Sequence, residues 1–153
     1  MPIFYHVLNV LKNLYLTIVI CLSLQLFSRS LDYVTGSPRD KSPWSSMIDL
    51  EAPAIWGAVG FVIFAVLFVG LLLRRPPVIS FGGVLCVILY LTFSWMHLVV
   101  IIDRGAPYDD WRTMTAYLAG AVLWGAIAII GVLIPSFDRV KKEYDGVFSK
   151  PDF

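Results

Sequence analysis

The sequence predicts an all-α protein, an integral membrane bundle of four antiparallel helices, and three observations lead there. Of 153 residues, 58% are apolar and only 15% charged, whereas a soluble domain keeps roughly a quarter of its residues charged. The mean hydropathy is +0.77, which excludes intrinsic disorder as well, since disorder needs low apolar content. Four apolar runs are each long enough to cross a hydrocarbon core of about 30 Å, which takes about 20 helical residues. Their length favours helices over strands, and lipid requires each segment to pair its own backbone groups.

The first run spans residues 7–27, with Lys12 and Asn13 near its start. A cleavable secretory signal, which would leave three helices, is the alternative reading of Lys12, the apolar stretch after it and Ser28-Arg29-Ser30. Phe4, Tyr5, Val7 and Leu8 make the stretch before Lys12 apolar, however, where a signal begins polar and basic. The second run, residues 54–73, and the third, residues 78–102, contain no charge, and the fourth covers residues 113–134. Residues 28–53 form an outer loop and residues 135–153 a short tail.

The connections fit these spans. Arg74-Arg75-Pro76-Pro77 leaves room only for a tight turn, so the second and third helices are antiparallel neighbours. Pro53 suits the first turn of the second helix, Asp109 or Asp110 can cap the fourth, and Pro135 is expected to end it. In the outer loop, Ser42 can cap a short interfacial helix aligning Trp44, Met47 and Ile48; an irregular loop with one anchored Trp is equally compatible. Trp44, Trp56 and Trp111 are expected in the outer aromatic belt and Tyr144 near the inner one.

Lys12, Arg74, Arg75, Arg139, Lys141, Lys142 and Lys150 fall on one side of the membrane, and Arg29, Arg39, Lys41, Arg104 and Arg112 on the other. Basic residues collect on the cytoplasmic side, so both termini are expected to be cytoplasmic. The net charge is +1, from 12 Lys and Arg against 11 Asp and Glu. That offers no field for nucleic acid. The expected partners are the lipid bilayer and either further copies of the chain or another membrane protein.

Helix association in lipid depends on close packing and interhelical hydrogen bonds, so small and polar residues mark the seams. Ala116 with Gly120 and Ala121 with Gly125 are small pairs on the fourth helix, and Gly57 and Gly60 lie on the second. These are the candidate packing or partner contacts. Phe61, Phe64 and Phe68 share a stripe that suits lipid or gap filling rather than a cofactor. Two polar stripes, Asn13, Thr17, Cys21, Gln25 and Ser28 on the first helix and Gly83, Cys86, Tyr90, Ser94 and His97 on the third, are expected to face each other inside the bundle. His97 is the default functional candidate because it is ionisable within a span. An imidazole near the outer end, bonded to Ser94, Tyr90 or interfacial water, is the simpler reading, and Lys12 can snorkel to head groups.

Reaction chemistry finds little support. His6 and His97 stand toward opposite membrane faces and cannot clamp one haem. Cys21 and Cys86 are isolated and read as buried packing residues. No Gly-x-Ser-x-Gly occurs and no carboxylate lies within an apolar run. Asp103, Asp109 and Asp110 could hold a hard cation, but Arg104 and Arg112 interleave with them. No catalytic set, cofactor or metal is expected, so the chain reads as non-enzymatic.

Ile55-Trp56-Gly57 at the start of the second helix, Leu72-Leu73-Arg74-Arg75-Pro76 at its end, Tyr90 in the third and Trp111-Arg112 opening the fourth resemble small four-helix membrane proteins of actinobacterial tailed phages. The resemblance covers residues 55–134. It implies a holin-like or lysis-accessory role in the inner membrane of a bacterial host cell and carries over no functional residues. A structural subunit of a larger membrane complex, and a small transporter or channel with His97, Ser94 and Gln25 lining a path, are the alternatives.

Overall fold

The computed structural model describes residues 2–35, 53–104 and 108–148, which form four α-helices: α1 (Pro2–Thr35), α2 (Pro53–Leu72), α3 (Pro76–Arg104) and α4 (Tyr108–Phe148). All four contain segments long and apolar enough to cross a membrane: Asn9–Thr35, Ala54–Leu72, Pro76–Val99 and Trp111–Ser136. The chain is therefore a multi-pass membrane protein with an all-α four-helix fold. Residues 42–49, the expected interfacial helix, lie outside the described residues, as do the side chains of Asp103, Asp109, Asp110 and Tyr144.

Successive helices are antiparallel neighbours. Along α1 and α2, Phe27 meets Phe64, Ser30 meets Gly60 and Val34 meets Gly57, so the numbers rise on one helix as they fall on the other. Ile79 against Gly70, Gly82 against Leu67 and Phe93 against Trp56 give the same sense to α2 and α3. The α3/α4 seam runs from Gly83 at Trp124 and Ala128, through Tyr90 at Gly120, to Ser94 at Met114. Among the described residues Trp124, Leu67, Ile79, Val19 and Cys86 are the largest fully buried side chains, so the middle of the bundle is solid. In lipid this core holds the helices by dispersion contacts, since apolar side chains gain nothing by leaving apolar solvent.

The α2–α3 turn follows from its sequence. Arg74 adopts φ 49°, the Arg75 N–H donates to the Gly70 carbonyl at 3.0 Å, and the Arg74 N–H donates to Leu71 at 3.1 Å. This is a Schellman closure of α2. The Arg75 carbonyl then accepts from Val78 and Ile79 to start α3, while Pro76 and Pro77 occupy positions whose missing N–H groups would have had no helical partner. A non-glycine residue in the left-handed region is strained, so Arg74→Gly is expected to raise stability by about 0.5–1 kcal/mol. A thermal midpoint in detergent reads this directly, and a lowered midpoint would mean that the Arg74 side chain outweighs its backbone strain.

Several helix ends differ from the sequence reading. α1 continues past residue 27 to Thr35, which brings Ser28, Arg29 and Ser30 into the helix. The Ser30 hydroxyl donates to the Leu26 carbonyl at 2.8 Å and so spends its hydrogen-bonding capacity within the helix, while Leu31, Tyr33 and Val34 prolong the apolar pattern. α4 does not end at Pro135 but passes through it to Phe148. Proline removes one bond and crowds the carbonyl four residues back. That residue is Gly131, whose backbone is free to adjust. At its other end α4 begins at Tyr108, so Asp109 and Asp110 fall inside its first turn rather than before it.

Candidate intramembrane polar site

The extension of α1 creates a polar and aromatic centre that the sequence did not reveal. Arg29, expected in the outer loop, stands within the α1 span with its guanidinium carbon 5.1 Å from the centre of the Tyr117 ring. A desolvated cation over an aromatic face is held by about 2 kcal/mol. One helical turn on, the Tyr33 and Tyr117 hydroxyls lie 3.3 Å apart, a hydrogen bond linking α1 to α4.

Tyr117 is the hub of this centre. His97 stacks on it at 5.5 Å with the rings 18° apart, and Tyr90 and Phe93 meet it at 5.7 and 5.3 Å. Phe93 in turn touches Tyr33 and Trp56, so rings from all four helices form one connected cluster. Glycines make the cluster fit. A side chain at Gly120 would collide with the Tyr90 ring, and one at Gly60 with the Ser30 hydroxyl. The cavity left among Arg29, Ser30, Tyr33, Trp56, Tyr90 and Tyr117 measures about 10 Å³. That is the volume of about one water. The centre is thus a packed junction that ties α1 to the α3/α4 pair.

His97, Tyr90 and Ser94 on α3 are all buried, as expected of the third helix's stripe. His97 is 4% exposed and faces Tyr117 rather than the interface, and Ser94 donates to the Met114 carbonyl at 3.3 Å rather than serving His97. The first helix's stripe does not join them. Asn13, Thr17, Cys21, Gln25 and Ser28 are all exposed. The buried face of α1 is formed instead by Tyr15, Val19, Ser23, Leu26 and Ser30. Periodicity identified the stripe correctly but not the direction in which it points. His97, Ser94 and Gln25 therefore line no common path within one chain, and Cys21 is not a buried packing residue.

The small residues are mostly spent inside the bundle. Gly57 lies against the Ser30 carbonyl and Val34, Gly60 against Ser30 and Leu26, and a Cβ at Gly125 would make only ordinary contact with Val87, at 3.8 Å. Ala121 is buried, whereas Ala116 faces outward. Phe61 and Phe64 fill the α1/α2 gap against Phe27, and Phe68 stacks on Phe64 at its exposed edge. Trp111 is exposed, but Trp56 is half-buried against Phe93 and so belongs to the junction.

Toward the other end of the bundle a groove of about 370 Å³ separates α1 from α4, lined by Leu11, Tyr15, Ile18, Ile127, Ile130 and Ile134 with Lys12 at its edge. The Tyr15 and Ser23 hydroxyls are buried without a hydrogen-bond partner among the described residues. No family model, curated protein or solved structure matches the chain.

Proposed function

We propose that the chain is a non-enzymatic, holin-like or lysis-accessory protein that acts by assembling with other membrane-embedded chains, in a bacterial inner membrane with both termini cytoplasmic. One observation carries the assembly reading. Compared over an 18-residue apolar stretch of each span, α1 has the lowest hydropathy, 1.8 against 2.6, 2.0 and 2.3, yet only 22% of its stretch is buried, against 28%, 50% and 33% for the others. A bundle that worked singly in lipid would shelter its least apolar helix, because polar groups in hydrocarbon need partners. The solid core adds to this: with Trp124, Leu67 and Ile79 fully buried, a passage across the membrane would form between copies and not through one.

Expression from an inducible promoter in a bacterium carrying a cytoplasmic lysin tests the lysis role. The expected result is loss of membrane potential, read with a voltage-sensitive dye, together with altered lysis timing. An unchanged potential with unchanged timing would remove that role. A structural subunit of a larger complex is the second reading, favoured by the continuation of α4 twelve residues beyond the end of its span at Ser136. Stoichiometric recovery of a different protein in mild detergent would select it.

A further inference from the structure

We infer that the outward polar stripe of α1 is the contact surface for a second copy of this chain, with Gln25 and Cys21 at its centre. The inference rests on the assembly reading and adds to it the surface and the partner. At 100° per residue, Thr17, Cys21, Gln25 and Ser28 share one arc of the helix, opposite the face on which Val19, Leu26 and Ser30 are buried. The α1 span runs from Asn9 to Thr35. Its middle is near residue 22, so Cys21 is almost at the membrane midplane and Gln25 only about 5 Å from it.

Gln25 is the residue that requires a partner. Its amide carries two N–H donors and a carbonyl acceptor. It is exposed, and no hydrogen bond from its side chain occurs among the described residues. A glutamine this deep would have to cross about 10 Å to reach water at the membrane boundary, farther than its side chain extends. Thr17 differs in being satisfied locally, its hydroxyl donating to the Asn13 carbonyl at 2.9 Å.

A second copy fits this surface for a reason of symmetry. Copies inserted in the same orientation can meet in parallel across a two-fold axis along the membrane normal, and that contact sets each residue of the stripe against itself. A glutamine amide is both donor and acceptor, so Gln25 complements Gln25 of another copy, whereas a charged residue there would repel its twin. Thr17, Cys21 and Gln25 follow the four-residue row of the helix, the row that packs in right-handed crossings of about −40°. Such a crossing centred on Cys21 would place exposed Leu14, Ile18 and Leu24 around the polar contact.

Cys21 makes the contact measurable, since Cys86, the other cysteine, is fully buried. Bacterial membranes containing the full-length Cys86→Ala chain are oxidised with copper phenanthroline, and the disulfide dimer is read on a non-reducing gel. The expected result is a strong Cys21-dependent dimer, lost in Cys21→Ser. Gln25→Leu, a change on the outward face that leaves the bundle core untouched, is expected to lower its yield about fivefold, and Gln25→Asn to retain most of it. A single cysteine at Ile88, on the outward face of α3 in a Cys21→Ser/Cys86→Ala background, measures random collision. Yields at Cys21 no higher than at Ile88, indifference to Gln25→Leu, or trapping of Cys21 on a different protein would each overturn the inference. Depolarisation without the Cys21 dimer would remove this interface and leave the lysis role, whereas the dimer without depolarisation would do the reverse.

Discussion

Tyr117→Ala is expected to lower the stability of the bundle by about 3–5 kcal/mol, the cost of deleting a large buried aromatic side chain. Tyr117 is 7% exposed and touches Tyr33, Tyr90, Phe93, His97 and the Arg29 guanidinium. Its removal opens a cavity and takes away both the hydroxyl that Tyr33 reaches and the ring that faces Arg29. Tyr117→Phe keeps the ring and loses only the hydroxyl contact, for an expected cost of about 1 kcal/mol. Unfolding in mixed micelles with increasing denaturing detergent measures both. Equal losses for the two variants would show that the hydroxyl pair, not the ring, holds the junction, and the account of Tyr117 as a packing hub would fail.

The second large effect belongs to the α1/α2 seam, where two glycines meet the same serine in different ways. A methyl group at Gly57 would stand 2.8 Å from the Ser30 carbonyl oxygen, which is main chain and cannot rotate aside. At Gly60 the obstacle is the Ser30 hydroxyl, which can be removed by mutation. Gly57→Ala is therefore expected to cost about 2–3 kcal/mol despite alanine's better helix propensity, and Gly60→Ala about 1 kcal/mol less. Adding Ser30→Ala should recover most of the Gly60→Ala loss and none of the Gly57→Ala loss, a coupling that a double-mutant cycle in detergent resolves. A neutral Gly57→Ala would mean that α1 does not approach α2 this closely.

These residues also show how much the sequence discloses. Gly57 and Gly60 were recognisable as points of close approach because small residues mark helix seams in lipid, and the number of helices followed from the length of the apolar runs. What approaches them was not recognisable, since spacing along one helix carries no information about its neighbour. The outward turn of the α1 stripe was hidden for the same reason: a period gives the faces of a helix but not which of them looks inward. Arg29 was missed because a cation between two serines after an apolar run has the appearance of a loop. The cue lay further on, in Leu31, Tyr33 and Val34, which extend the apolar pattern to residue 35. His97 was found by its chemistry, but its partner Tyr117 is twenty residues away on the next helix and no local pattern connects them.

The passage of α4 through Pro135 has a mechanical consequence. A continuous helix from Tyr108 to Phe148, 41 residues, is about 60 Å long, twice the thickness of the oily layer it crosses. Its last dozen residues, about 18 Å of helix, therefore continue past the end of the span, with Lys141 and Lys142 in the half nearer to it. Tilting of the buried part would swing the tip of that extension through a wider arc than any side chain could travel, so a small rearrangement among the helices becomes a large displacement in the water beyond them.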